Sequence, residues 1–144
     1  MAFELTTQVP FSQWQIQYFG SVTNVDAAGG ADPDGDGMSN TNEYLSGTVP
    51  TNGMSSLRIV SIERQSSTNI NLAWTTVGCH TYVVQTNLPV TIGGVTGNFT
   101  NNWADFSPPI SVPGMGEFTN NLIHFGAITN NTPALYYSVK LLCP

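Results

Sequence analysis

Four of the chain's nine acidic residues lie within twelve positions, in the stretch Asp32-Pro33-Asp34-Gly35-Asp36-Gly37-Met38-Ser39-Asn40-Thr41-Asn42-Glu43. Carboxylates packed this closely repel one another, so the stretch must be spread out by solvent, partly protonated, or drawn around a cation. The spacing selects the last outcome. Acids at loop positions one, three and five, a glycine at six and a glutamate at twelve match the arrangement that wraps an oxygen-only cage round Ca²⁺. Asp32, Asp34 and Asp36 would offer side-chain oxygens, Met38 its backbone carbonyl, Asn40 a side-chain or water-mediated contact, and Glu43 a two-oxygen grip. Gly37 permits the sharp turn that points these groups inward. Calcium fits better than magnesium, because the loop supplies more oxygens than a small octahedral ion that keeps its waters would use.

The rest of the chain is poor in charge. Of 144 residues only three are basic, the formal charge is −6, and 14 Asn, 17 Thr and 12 Ser make the polar surface largely uncharged. No basic patch is available for phosphates, which argues against nucleic acid and anionic membranes as partners. No run of eighteen apolar residues exists to span a bilayer. The composition suits an extracellular or cell-surface location, although residues 1–10 lack the basic start and apolar run of a secretory signal. An exported chain would therefore have lost its signal already, or Met1 is not the native start. Cys79 and Cys143 are too far apart for a metal or redox motif. In a secreted chain their simplest reading is one disulfide, closing a loop of about 65 residues worth up to roughly 4 kcal/mol; the other reading is two buried thiols.

Residues 11–19 read as a short helix, with Ser12 and Gln15 as a capping-box pair, Phe11 stapled onto Ile16, and Gly20 as the stop. Trp14 and Tyr18 share a face that must be buried, since so short a helix is not stable alone. Residues 21–31 form a small-residue connector. A second helix is expected from Ser39 to Ser46, with Tyr44 and Leu45 turned inward, Gly47 ending it and Pro50 preventing its resumption.

After Asn52-Gly53 the apolar period changes to two. Leu57-Ile59, Ile70-Leu72-Trp74, Tyr82-Val84 and Leu135-Tyr137-Val139-Leu141 alternate as half-buried strands do, separated by turn clusters such as Gly93-Gly94, Pro108-Pro109 and Asn130-Asn131. Six to eight such strands suggest an antiparallel sandwich. The expected organisation is an extended segment over residues 1–10, short helices with the calcium loop over 11–53, and a β-sandwich over 54–144.

Two resemblances sharpen this. Asp32 to Leu45, followed by Gly47-Thr48-Val49-Pro50, resembles the calcium-binding DPDGDGxxNxxEYxxGTxP segment of secreted bacterial proteins, akin to thrombospondin type 3 repeats, dockerins and EF-hands. Ser39 at loop position eight and the long connector before the loop depart from an EF-hand proper. What the resemblance implies is a single fixed structural site rather than a paired sensor. Leu72-Ala73-Trp74, Tyr82-Val83-Val84 and Tyr136-Tyr137-Ser138-Val139 are similar to fibronectin type III and immunoglobulin-like sandwiches, which implies that Trp74 is a core residue. The fold class expected is thus mainly β, an immunoglobulin/fibronectin-like sandwich preceded by a small helical calcium-loop segment.

Catalytic patterns are missing. His80 and His124 have no ligand-type residue at metal spacing, no GxSxG elbow precedes a helix, and the carboxylates outside the loop, Glu4, Asp26, Glu63, Asp105 and Glu117, are scattered. Two Asn-x-Thr sequons begin at Asn98 and Asn130, candidates for glycosylation. The expectation is a non-catalytic, calcium-stabilised extracellular structural protein that assembles with copies of itself into a bacterial surface fibre, tube or layer, residues 1–10 docking on a neighbouring subunit. The alternative is an accessory carbohydrate- or protein-binding module of a larger secreted enzyme or adhesin, for which Trp103 would be the exposed aromatic.

Overall fold

Helix α1 (Phe11–Phe19) runs over the expected residues and stops where Gly20 takes a positive φ of 76°. Its start differs from expectation. Pro10, not Ser12, is the N-cap, with no side-chain cap hydrogen bond. Gln15 instead donates from Nε2 to Ala27 O at 2.6 Å, which ties the helix to the connector. Phe11 does not staple onto Ile16, which is exposed; it stacks on Trp14 and meets Tyr44 edge-on, at centroid separations of 5.5 and 5.1 Å. The aromatic cluster, not the capping box, holds the N-terminal turn, because ring burial outweighs a solvent-exposed side-chain hydrogen bond. A 3-10 turn (Val25–Ala27), capped by Asn24, interrupts the connector. Helix α2 (Asn40–Ser46) follows the loop and ends at Gly47, φ 74°.

The computed structural model describes residues 9–88, 90–92, 95–98, 101–129 and 135–142. It is 34% strand and 16% helix, with antiparallel sheets and two short helices, and it divides into two units, Met1–Ser56 and Leu57–Pro144. No helix among the described residues is long and apolar enough to cross a membrane.

The second unit holds strands β1 (Ile59–Arg64), β2 (Ile70–Val77), β3 (Thr81–Asn87), β4 (Val90–Ile92), β5 (Val95–Asn98), β6 (Ala104–Asp105), β7 (Ile110–Ser111), β8 (Glu117–His124) and β9 (Tyr136–Leu142). One sheet has the order β1-β2-β8; in another β3 pairs with β9 along one edge and with β6 and β7 along the other; β4 and β5 form a separate pair. Leu72 and Trp74 from β2 and Val84 from β3 form the core, and Leu57, Ile59, Ile110, Leu122, Tyr137 and Val139 pack against it. Trp74 is fully buried, as its place on the alternating face of β2 predicts.

The β2–β3 turn is built by close backbone approach. Cys79 takes the left-handed conformation, φ 64°. A Cβ on Gly78 would strike the backbone of Gly114 and Met115. Gly78 N donates to Gly116 O, and Cys79 N to Val112 O, both at 2.8 Å. Cys79 is exposed, its thiol directed at Gly114 O at 2.9 Å; the other member of the expected disulfide, Cys143, lies outside the described residues, as does Asn130. The Asn98 backbone lies in β5.

Candidate metal centre

The loop between the 3-10 turn and α2 is shaped by its own carboxylates. Asp32 Oδ1 accepts hydrogen bonds from Gly35 N (2.9 Å) and Asp36 N (3.2 Å), and its Oδ2 from Gly37 N (3.0 Å). Asp34 Oδ1 accepts from Asp36 N at 3.3 Å, and Asp36 Oδ1 from Met38 N at 2.8 Å. These are local turns of the kind Asp favours, because a short side-chain acceptor reaches backbone N–H groups a few residues on, here two to five. Gly35 and Gly37, at φ 73° and 94°, take the left-handed conformations that the winding requires.

This use of the carboxylates is incomplete. Asp34 and Asp36 each spend one oxygen on the backbone, while their Oδ2 atoms are buried with no hydrogen-bond partner. Side-chain oxygens of Asp32, Asp34 and Asp36 lie within 4.8 Å of one another, the one such grouping of His, Cys, Asp or Glu among the described residues.

Helix α2 brings two more oxygen donors. Its buried residues are Asn40, Glu43 and Ser46, a polar stripe at helical spacing, whereas Tyr44 and Leu45, expected to turn inward, are only half-buried. The i, i+3, i+6 face that normally carries Leu or Ile carries an amide, a carboxylate and a hydroxyl. Glu43 is 0% exposed and neither carboxylate oxygen has a hydrogen-bond partner. Burial, and then the charges of Asp34, Asp36 and Asp32, push its carboxyl up to about 7. The nearby Thr48 hydroxyl opposes this only weakly, since its hydrogen bond is to Ser46 Oγ at 3.0 Å. The Asp34 carboxyl is also raised, by burial and then by the charge of Asp36.

Asn40 is oriented by its amide. Nδ2 donates to Asp26 O at 2.6 Å and Ala28 O at 2.8 Å, so Oδ1 is the atom left over, buried and without a partner. Two carbonyl acceptors fix which end is nitrogen. The connector therefore has a task that its composition does not reveal: it holds Asn40 with its oxygen free. Further bonds from Asn40 N to Ala31 O and from Thr41 N and Oγ1 to Gly29 O, all 2.9 Å, complete the seam. Gly29 is needed there, because a Cβ would fall 2.6 Å from Thr41 Oγ1 and against the Phe11 ring. On the other side the 52–53 turn closes near the loop, with the position of a Gly53 Cβ 3.4 Å from Asp34 O.

Five buried oxygens, Asp34 Oδ2, Asp36 Oδ2, Asn40 Oδ1 and both of Glu43, thus have no donor at hydrogen-bond geometry among the described residues. Leaving so many acceptors unmet would cost several kcal/mol in total, and three of the side chains are acids that repel one another. All are hard oxygen donors, the set that a calcium ion takes. Asp34, Asp36, Asn40 and Glu43 are among the expected ligands, and Asp34 and Asp36 are in the grouping at ligand distance. Asp32 joins them through the carboxylate grouping, although both its oxygens already accept backbone N–H groups. Met38 enters the loop through its N–H.

The remaining candidates are structural in their contacts. His80 Nδ1 donates to Gly78 O at 2.9 Å, within the β2–β3 turn. His124 Nδ1 lies 2.8 Å from Tyr137 Oη, and its ring sits 3.9 Å, centroid to centroid, from that of Phe106. Burial lowers the His124 pKa and raises that of Tyr137 to about 12. Trp103 is half-buried.

Comparison with family models, curated proteins and solved structures returns no match for this chain.

Proposed function

We propose that the chain is a non-catalytic, extracellular structural protein whose first unit is stabilised by one Ca²⁺ ion and whose second unit is an immunoglobulin/fibronectin-like sandwich, working as a self-assembling subunit of a bacterial surface fibre, tube or layer. The observations that support the calcium reading are the grouping of Asp32, Asp34 and Asp36 carboxylates within 4.8 Å of one another and the buried side-chain oxygens without a hydrogen-bond partner on Asp34, Asp36, Asn40 and Glu43. Asp32, Asp34, Asp36, Asn40 and Glu43 would hold the ion, with the Met38 carbonyl completing the set. The ion would supply positive charge where four carboxylates otherwise repel. At a calcium concentration a hundredfold above Kd, that contributes about 2.7 kcal/mol to folding.

The sandwich reading is supported by a core built from β2 and β3 with residues of β7, β8 and β9 packed on it. The structural, rather than catalytic, role is supported by the local bonding of both histidines.

The test is calorimetric titration with calcium, followed by hydrogen exchange with and without chelator. One binding event per chain, and loss of exchange protection in residues 9–56 ahead of 57–142 on chelation, are expected. No binding at millimolar calcium would reject the site. Electron microscopy in calcium that shows only monomers at every concentration would reject the assembly.

A further inference from the structure

Strand β9 has one paired side among the described residues. Among the described residues it pairs only with β3, from Thr81↔Leu142 to Asn87↔Tyr136. Its core-facing residues follow from that register: Val139 lies opposite Val84 and Leu141 opposite Tyr82, both partners fully buried, yet Val139 and Leu141 are themselves only half-buried. The same shortfall appears on the other sheet. Ile62 pairs with Leu72 and so shares its core face, but Ile62 is 52% exposed while Leu72 is 1%. The core is thus finished at β2 and β3 and open at its margins.

An open edge is a template for another strand unless it is guarded. Strand β1 is guarded by a bulge between Ile59 and Ser61 and by Glu63 and Arg64. Strand β8 carries Glu117 and the Asn120-Asn121 pair. On β9 the one guard is Lys140, exposed and on the face opposite Val139 and Leu141.

The chain holds a segment that fits this edge. In the sequence Ala2-Phe3-Glu4-Leu5-Thr6-Thr7-Gln8-Val9, Phe3, Leu5 and Val9 are at even spacing, so that an added strand of these residues would carry them on one face and Glu4 on the other. Seven or eight residues match the length of β9. The described root of the segment is extended, Pro10 having φ −55° and ψ 144°, and it is anchored, because Tyr44 Oη donates to Val9 O at 2.6 Å.

We infer that residues 2–8 of a second copy add to the open edge of β9, with Phe3 and Leu5 continuing the apolar face of Val139 and Leu141, and Glu4 meeting Lys140 on the outer face. The inference rests on the self-assembly reading above and specifies its contact. Lys140 then serves as a filter: it disfavours uncharged or basic strands and accepts this acidic one.

The test uses full-length protein in calcium, followed by sedimentation velocity and negative-stain microscopy at low and moderate salt. Glu4→Lys and Lys140→Glu should each weaken association about tenfold or more, and the double reversal should restore it to within about threefold. A synthetic peptide of residues 1–10 in excess should block growth, and a scrambled peptide should not. Calcium binding by every variant, read by calorimetry, reports that the first unit is intact. Assembly that persists unchanged in both single reversals and in the presence of the peptide overturns strand addition and leaves the structural-subunit reading standing. A wild-type chain that stays monomeric at all concentrations overturns both.

Discussion

Tyr44 donates its hydroxyl hydrogen to the carbonyl of Val9 at 2.6 Å, and the residue before it, Glu43, is buried with two partnerless carboxylate oxygens. One short helix therefore presents an acid to the loop and a phenol to the root of the N-terminal segment. Whatever satisfies Glu43 also settles Tyr44, since seven residues of helix do not hold their shape unaided.

Glu43→Gln separates the cost of the acid from its use. Without calcium the amide removes a buried charge from beside three aspartates, so the variant should be more stable than the parent at pH 8 by roughly 1–3 kcal/mol. With calcium the order should invert, because the grip on the ion is weakened. Thermal unfolding with chelator and with millimolar calcium reads both signs, and the same sign in both conditions would remove Glu43 from the site.

The raised Glu43 carboxyl gives the metal-free protein an unusual pH response. Its folded pKa, about 7, exceeds the ordinary value of 4.5. Between those values the folded state binds more protons than the unfolded one, so stability falls as pH rises through this window. Acidifying chelated protein from pH 7.5 to 5 should therefore stabilise its first unit, and calcium should remove the effect by displacing the proton. Denaturant melts across this range, followed by Tyr and Trp fluorescence, check the slope.

Asn40→Asp adds a charge of the kind that calcium sites take. It should nonetheless destabilise the first unit by about 2–4 kcal/mol even in calcium, because the two hydrogen bonds to Asp26 O and Ala28 O are lost and those carbonyls then face a carboxylate. Denaturant unfolding in saturating calcium measures this, and an unchanged midpoint would show that the amide orientation is unimportant.

Gly78→Ala probes the second unit alone. The new Cβ would lie 2.7 Å from Gly114 C and 2.9 Å from Met115 N, atoms of backbone that cannot rotate away. A loss of about 2–3 kcal/mol is expected. Calcium affinity, measured by calorimetry, should stay within error of the parent.

Sequence reasoning located what is strictly local. The glycine stops at 20 and 47 follow from local sequence, and the burial of Trp74 agrees with its place in an alternating run and with what the sandwich resemblance implies. It missed features that depend on a distant partner. Gln15 reads as half of a capping box until Ala27 is folded back onto it. Tyr44 and Leu45 read as the inner face of α2 because apolar residues normally are, whereas the buried face is Asn40, Glu43 and Ser46, of which Asn40 is held by Asp26 and Ala28 and Ser46 bonds Glu43 O and Thr48. Strand β8 carries Asn120-Asn121 at its middle and Phe118 exposed, so no alternation marks it; its register with β2, Thr75↔Thr119 through Ile70↔His124, makes it a strand. The N-x-x-E spacing after the DPDGDG run was the signal for Asn40 and Glu43, but nothing in the sequence pairs Asn40 with Asp26 and Ala28.

The polar stripe of α2 also bears on timing. A helix whose inner face is an amide, a carboxylate and a hydroxyl gains nothing by collapsing onto its neighbours before the charge is neutralised. On the calcium reading, maturation of the first unit is then a bimolecular reaction, its rate set by ion supply as much as by the chain. Where calcium is scarce, α2 would stay unsettled on that reading, and with it the contact of Tyr44 with Val9.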